Sequence, residues 1–345
     1  MIVREFGFSI GLSILCLIGA FAFGISHGDL NLALKFLFIA LILGVMEVSL
    51  SFDNAVVNAS VLKNMSPVWQ QRFLTWGIFI AVFGMRFIFP ILIVSLVSGL
   101  GFGEVLNLAL NNGEKYGEYL EKSEVAISAF GGTFLSLVFF HYLLDPEKDV
   151  HWFGWLEERL AAIGKLETVQ VLITGVLLLL CVHFLVPEHE QYTALLAGVV
   201  GILTYIFVDG LGGLFDTDKL TTGAASAGLA SFIYLEVLDA SFSLDGVIGA
   251  FAITKEVVII AAGLTIGAAF VRSLTLLLVH QGTLAQYRYL EHGAHYGIGA
   301  LAAIMLLSMG GLHIPEMVTG LIGVAFIGAS IYASLLYNKR QALSQ

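Results

Sequence analysis

The chain has 345 residues, of which 58% are hydrophobic and 12% charged, and its formal net charge at pH 7 is −10. With a mean hydropathy of +0.91, it is too apolar and too sparsely charged for a soluble globular domain. The acids are scattered rather than gathered in runs, which excludes an acidic tail, and nothing indicates a nucleic-acid partner. Cys16 and Cys181 lie in separate apolar stretches, so we expect neither a disulfide framework nor a thiolate metal site.

Apolar windows between polar, Pro or Gly breaks predict an all-α, polytopic helical bundle that forms one transmembrane domain over residues 1–345. Ten spans are predicted, near 6–25, 33–62, 73–98, 124–144, 168–186, 191–208, 224–253, 256–280, 295–309 and 315–337. The first could also be read as a signal peptide, but its apolar run is long for one and further spans follow. The second and seventh are longer than a bilayer requires, so we expect each to be tilted, broken or continued into a loop.

The basic residues predict the orientation of these spans. With the N-terminus inside, most of the Lys and Arg residues fall in inner segments, which is the bias of cytoplasmic loops. We therefore expect both termini in the cytoplasm and a multi-pass protein of the cell membrane, the inner membrane in a bacterium. The segment 143–165 is the largest predicted inner loop, and Trp152, Phe153 and Trp155 in it are typical of interfacial anchors.

Two segments share one pattern. Residues 46–59 read MEVSLSFDNAVVNA and residues 238–250 read LDASFSLDGVIGA, so an acid, two serines and an aspartate recur at equal spacing. Arg86 and Arg272 follow in the next spans, and a Tyr-Leu-Glu triplet precedes each third span. This order predicts three-helix repeats at 33–144 and 224–309, linked by 145–223 and followed by a last span and tail at 310–345. Because the motif spans are five apart, the two repeats must be inverted.

The repeated acids indicate a cation site. An ionised carboxylate at the bilayer centre costs about 3 kcal/mol unless it is paired or solvated, and intramembrane acids are functional by default. Carboxylate, hydroxyl and amide oxygens suit hard divalent ions such as Mn²⁺, Mg²⁺ or Ca²⁺, whereas the absence of histidine from both motifs disfavours Zn²⁺. The candidate metal-site residues are Glu47, Ser49, Ser51, Asp53, Asn54, Glu236, Asp239, Ser241, Ser243 and Asp245.

Helical geometry leaves two arrangements of this site open. At 100° per residue, Glu47 and Asp53 lie on different faces of a straight helix. Either the motif helices are broken near the Ser-x-Ser-x-Asp segment, with Gly246 as one place for a break, or the acids occupy two positions along a path. Arg86 and Arg272 are expected to form buried ion pairs with the acids, or to balance their charge when no cation is bound.

At the paired motifs the sequence resembles the TerC family of integral membrane proteins, within the wider LysE-like transporter superfamily. The resemblance rests on MEVSLSFDNAVV, on LEVLDASFSLDGVIGAFAIT and on the single arginine in the helix after each. It implies a role in Mn²⁺ export and metal homeostasis, with Glu47, Asp53, Asp239 and Asp245 at the ion site. The serine-rich spacers and the additional first and last spans depart from the common pattern and indicate a divergent branch.

These observations predict a divalent-cation transporter, with Mn²⁺ as first candidate, that works by alternating access and for which exchange against H⁺ is open. The alternative is a non-transporting membrane scaffold, or a partner-binding protein associated with tellurium resistance. We expect no enzymatic activity, because no nucleophile–base pair or HExxH motif is present. We expect no resident cofactor, the bilayer and the transported ion as partners, and we leave homo-oligomerisation open.

Overall fold

The computed structural model of the protein describes residues 2–164, 168–215, 223–312 and 314–343. These residues form α-helices joined by short connections, and two π-helical stretches, Phe73–Gly77 and Ile80–Ile88, lie between α4 and α5. The helices are α1 (Ile2–His27), α2 (Leu30–Leu50), α3 (Phe52–Leu62), α4 (Pro67–Arg72), α5 (Phe89–Ser98), α6 (Phe102–Asn111), α7 (Gly113–Lys122), α8 (Glu124–Leu143), α9 (Trp155–Gly164), α10 (Val169–Leu185), α11 (Gln191–Phe215), α12 (Gly223–Ile253), α13 (Val257–His280), α14 (Thr283–Gln286), α15 (Leu290–Ser308) and α16 (Glu316–Leu343).

The predicted all-α, polytopic bundle is confirmed. Among the described residues, seven helices are long and apolar enough to cross a bilayer, or eight if Glu157–Gly164 and Val169–Leu185 count as one span bent by 101°. The helices α12 and α15 fall outside the seven, and α12 carries three acids between residues 236 and 245. Ten spans therefore remain a prediction. We treat α9, with adjacent charges at residues 157–159, as part of the loop between α8 and α10.

The second predicted span is broken, and the break lies inside the first motif. Helix α2 ends at Leu50, α3 begins at Phe52, and Ser51 between them has φ −102° and ψ 19°, outside the α-helical region. One of the two arrangements left open by the sequence is therefore confirmed for this motif. The seventh span is different, because α12 continues without interruption through residues 223–253, so the break considered at Gly246 is absent.

The third predicted span contains the two π-helical stretches. Pro90, at the start of α5, has no amide hydrogen to donate to the carbonyl of Arg86, and its ring crowds that carbonyl. A π-helical turn accommodates such a local mismatch and is often found at functional positions. Arg86 lies in the second stretch and is buried.

The packing of the two predicted repeats is reciprocal. Their third helices, α8 and α15, pack on each other, and each third helix also contacts the first helix of the other unit. The first helix of each unit packs against the second helix of the other: α2 and α3 against α13, and α12 against the Ile80–Ile88 stretch. Two units related by an internal repeat would pack in this way. The inverted repeat itself stays a prediction. Helix α1 packs against α2 and α13, and α16 packs against α15, α2 and α3.

The buried carboxylate of Glu157 links the loop after α8 to α15 through hydrogen bonds and ion pairs. Glu157 is fully buried, and its Oε1 accepts hydrogen bonds from the Tyr296 hydroxyl at 2.9 Å and from the backbone amide of Trp152 at 3.2 Å. Its Oε2 lies 2.9 Å from Nζ of Lys148 and 3.5 Å from Nε2 of His292. The described part of the predicted inner loop, residues 143–164, is thus held against the bundle through this carboxylate.

Candidate intramembrane ion site

The break at Ser51 places Glu47 and Asp53 beside one cavity. Glu47 is on the last turn of α2 and Asp53 on the first turn of α3, and the two residues are 1% and 5% exposed. The cavity has a volume of about 20 Å³, room for one water molecule or one ion. It is lined by Glu47, Leu50, Ser51, Asp53, Phe242, Gly246, Gly297, Leu301 and Thr319.

Asp53 is the carboxylate of this cavity that lacks a cationic partner. Its Oδ1 accepts a hydrogen bond of 2.9 Å from the backbone amide of Asn54. It forms no ion pair with any described residue. A carboxylate that is buried without a counter-charge is unfavourable unless water or a cation compensates it.

Glycines from four helices make room for the two carboxylates. A Cβ atom at Gly297 of α15 would lie 3.2 Å from Oδ2 of Asp53, and one at Gly323 of α16 would lie 3.4 Å from it. A Cβ atom at Gly246 of α12 would lie 2.7 Å from Oε2 of Glu47. Gly267 of α13 likewise packs directly on the stem of Glu47. These helices can approach the acids closely because no side chain intervenes.

Arg86 compensates Glu47 from the second π-helical stretch. Its Nη2 forms a short salt bridge with Oε1 of Glu47, and Nη1 lies 3.6 Å from Oδ2 of Asp239. Nη1 also donates a hydrogen bond of 2.9 Å to the carbonyl of Ala81. Arg86 thereby joins the first motif to the second.

Arg272 has the corresponding place on α13, but with a different acid. Its Nη2 lies 3.2 Å from each carboxylate oxygen of Glu236 and 3.8 Å from Oδ2 of Asp239. Nη1 donates to the carbonyl of Phe73 at 3.0 Å, and the guanidinium lies 4.2 Å from the ring centroid of the same residue. The predicted ion pairing of both arginines is confirmed, and Asp239 lies between the two guanidinium groups.

A row of buried oxygens without hydrogen-bond partners continues from this cluster along the contact of α3 with α12. The amide of Asn54 donates to Oδ1 of Asp239 at 2.9 Å. Among the described residues, Oδ1 of Asn54, Oδ1 of Asn58, Oδ2 of Asp239 and Oγ of Ser243 are buried without a hydrogen-bond partner. Buried polar atoms are usually satisfied, so the oxygens of Asn54, Asn58 and Ser243 indicate positions for water or a cation. Oδ2 of Asp239 is instead compensated by the guanidiniums of Arg86 and Arg272, at 3.6 and 3.8 Å.

Three predicted site residues are not brought into the cluster by described contacts. Ser49 is exposed and its hydroxyl donates to the carbonyl of Val45 one turn earlier, at 2.9 Å. Ser241 is buried, but its hydroxyl donates to the carbonyl of Val237 in the same way, at 3.1 Å. The side chain of Asp245 lies outside the described part of the chain, and only its place in α12 is known.

The sequence pattern missed the contribution of the last two helices. Gly297 of α15 and Thr319 and Gly323 of α16 lie at the cavity or against Asp53, yet they belong to neither motif. Small residues in spans usually signal helix packing alone, so a single sequence carries no signal that they face an acid.

The arrangement is not a preformed cage of strong metal ligands. Within the described residues, no three His, Cys, Asp or Glu side chains are grouped so that they could hold a metal ion. A cation in the cavity would meet the carboxylates of Glu47 and Asp53, the hydroxyls of Ser51 and Thr319, and the carboxyl end of α2, which carries partial negative charge. Such an oxygen set would hold a cation only weakly.

Long apolar helices around four buried carboxylates and two buried arginines define a multi-pass membrane protein with a charged interior. Residues 52–341, most of the chain, match the family described as "Protein of unknown function (DUF475)", and the chain belongs to that family. No curated protein and no solved structure matches it.

Proposed function

We propose that this protein is a secondary transporter that exports a divalent metal cation, with Mn²⁺ as the first candidate. The observation that carries the proposal is Asp53, a buried carboxylate without a cationic partner among the described residues, at a helix break and beside a cavity the size of one ion. Cation sites of secondary transporters are commonly formed where a membrane helix is interrupted, since the interruption directs backbone carbonyls at the ion.

The charges of the cluster favour a divalent over a monovalent cargo. The described part of the cluster holds four buried carboxylates, those of Glu47, Asp53, Glu236 and Asp239, and two buried guanidiniums, those of Arg86 and Arg272. With all of them ionised, the described part of the cluster has a formal excess of two negative charges. One divalent cation would neutralise this excess, and the electrostatic gain is large in a region of low dielectric constant.

The chemistry of the ligands and the resemblance support Mn²⁺. Carboxylate, hydroxyl and carbonyl oxygens suit Mn²⁺, Mg²⁺ and Ca²⁺ better than Zn²⁺ or Cu²⁺, which favour nitrogen and sulfur. The likeness of both motifs to the TerC family, whose members are implicated in Mn²⁺ export, favours Mn²⁺ within that group and outward transport as its direction.

The proposed cycle exposes the cavity to each side of the cell membrane in turn, with both termini in the cytoplasm. The reciprocal packing of the two three-helix units supports a movement of one unit against the other. When the ion leaves, Asp53 loses its compensating charge, and proton binding is the simplest replacement. Exchange of the metal for H⁺ is therefore part of the proposal.

The test is metal efflux from proteoliposomes loaded with Mn²⁺, Mg²⁺, Ca²⁺ or Zn²⁺. The substitution Asp53→Asn preserves the size of the side chain and removes its charge, and we expect it to lower Mn²⁺ flux by about tenfold or more. The matched control is Asp149→Asn, which removes an exposed acid from the loop after α8 and should leave flux unchanged. Equal flux in wild type and Asp53→Asn at equal protein content would refute the site. No flux of any of the four ions by the wild type would favour the non-transporting scaffold.

A further inference from the structure

A second and much larger cavity opens at the membrane face where α2 begins and α12 meets α13. It has a volume of about 370 Å³ and shares no lining residue with the cavity at Asp53. This volume is in the range of small-molecule sites. The lining residues are Leu32, Lys35, Phe36, Ile39, Phe251, Ile253, Thr254, Lys255 and Glu256.

The charged wall of this cavity carries two lysines without counter-ions. Lys35 and Lys255 are both exposed, and neither forms an ion pair with any described residue. Glu256 is the one acid in the lining, and among the described residues no ammonium group lies within ion-pair distance of it. Lys255 is in the turn between α12 and α13, and Lys35 is in the second turn of α2, so both ammonium groups can reach the level of lipid headgroups.

The surface beside the cavity is apolar and faces outward. Leu34 and Phe38 of α2 are 51% and 60% exposed, and Val258 of α13 is 45% exposed. In a multi-pass membrane protein such side chains meet lipid tails. A ligand at this place would therefore have an anionic part near the lysines and an apolar part along α2 and α13.

We propose that this cavity binds the headgroup of an anionic phospholipid, with its phosphate between Lys35 and Lys255 and its acyl chains along Leu34 and Phe38. The charge of the two unpaired ammonium groups argues for an anion, and the exposed apolar flank argues for a lipid over free phosphate.

The experiment is native mass spectrometry of the full-length protein in neutral detergent after addition of phosphatidylglycerol or phosphatidylcholine. The test variant is K35Q/K255Q. The matched control is K115Q/K122Q, which removes two exposed lysines from α7. This helix is at the same membrane face, since Gly113 at its start lies directly against the carbonyl of Lys255. Both variants lose two positive charges, so a general effect of charge would appear equally in each.

We expect wild type and control to retain phosphatidylglycerol and the test variant to retain about tenfold less, while phosphatidylcholine is held weakly by all three. Equal retention of phosphatidylglycerol by test and control variants would overturn the site, as would equal retention of the two lipids by wild type. A third arm adds inorganic phosphate alone; displacement of phosphatidylglycerol at millimolar phosphate would show that the lysines bind a free anion and would overturn the assignment to lipid. Melting temperatures without lipid check folding, and the single variants K35Q and K255Q replace the double variant if it melts early.

Discussion

The side-chain amide of Asn54 donates a hydrogen bond of 2.9 Å to Oδ1 of Asp239. Both side chains are buried, and Asp239 also lies near the guanidiniums of Arg86 and Arg272. The bond therefore joins the helix that follows the Ser51 break to the ion pairs of the second motif. A movement of α3 relative to α12 must break this hydrogen bond. If the bond is kept, the two helices must move together.

Replacement of Asn54 by alanine tests the strength of this link. The change removes the donor and leaves Oδ1 of Asp239 buried without it, so we expect the free energy of unfolding to fall by about 2 kcal/mol. Denaturant unfolding in detergent measures it. The control Asn111→Ala removes an exposed amide that bonds to Asn107 within α6, and it should change stability by less than about 0.5 kcal/mol. Similar losses in the two variants would contradict a specific role for Asn54.

The salt bridge between Glu47 and Arg86 predicts a strongly non-additive double-mutant cycle. Arg86→Met and Glu47→Met each leave a buried charge without its partner, and each should cost about 3–5 kcal/mol of stability. The double variant should lose much less than the sum of these, because it leaves neither charge. The double variant should still lose some stability, because Asp239, 3.6 Å from Arg86, also loses its arginine partner. Simple additivity in denaturant unfolding would mean that the two side chains do not act as a pair.

The glycines beside the carboxylates predict steric inhibition of transport. Gly323→Ala adds a methyl group about 3.4 Å from Oδ2 of Asp53, which occupies space beside the carboxylate that would hold the ion. We expect lower metal flux with protein abundance maintained, measured in proteoliposomes as above. Gly328→Ala on the same helix is the matched control, since its added methyl group would meet no atom within 4 Å. If both variants transport equally well, the space beside Asp53 is not used by the ion.

The buried carboxylate of the loop predicts a dependence of stability on pH. Burial raises the pKa of Glu157, but hydrogen bonds from His292, Lys148 and the Phe153 amide outweigh burial and hold this pKa below its ordinary value of 4.5. A carboxyl with a lowered pKa stabilises the folded state fully above its unfolded pKa, and this contribution is lost as pH falls through the folded pKa.

Glu157→Gln should therefore destabilise the protein at neutral pH, by about 3 kcal/mol, because it leaves Lys148 without its counter-charge. The difference from wild type should shrink steadily as pH falls below 4.5. Thermal melting at a series of pH values measures it. Glu158→Gln, at the exposed neighbouring position, should match wild type throughout. A difference between Glu157→Gln and wild type that does not change with pH would show that the carboxylate charge is not its cause.

The sequence alone predicted the helical class, the presence of acids inside the spans and the ion pairing of the two arginines, because each of these depends on local composition. An apolar run of the length of a bilayer predicts a helix, and a charged residue inside such a run must find a partner. The conflict between the faces of Glu47 and Asp53 left two arrangements open, and the first motif has the broken helix. The same reasoning did not hold for α12, which is continuous through the second motif. There the closest ion pair of Arg272 is with Glu236, three residues before Asp239.

The partners of each charge could not be read from the sequence pattern, because they depend on distances between helices. Alignment of the motifs made Asp239 the counterpart of Glu47, yet Arg272 forms its closest ion pair with Glu236, and Asp239 is shared between both arginines. Gly297 and Gly323 act by the absence of a side chain. The network around Glu157 joins residues far apart in the chain, and nothing in the loop segment alone indicates that its acid is buried.

The different backbones of the two motifs also bear on the history of the chain. If both descend from one ancestral segment by gene duplication, they began with the same course, and one copy has since gained or lost the interruption at Ser51. In that case the spacing of acid, serines and aspartate was kept while the backbone of one motif changed. Relatives that branched off before the change should have two interrupted helices or two continuous ones, and their structures would reveal which state is the older.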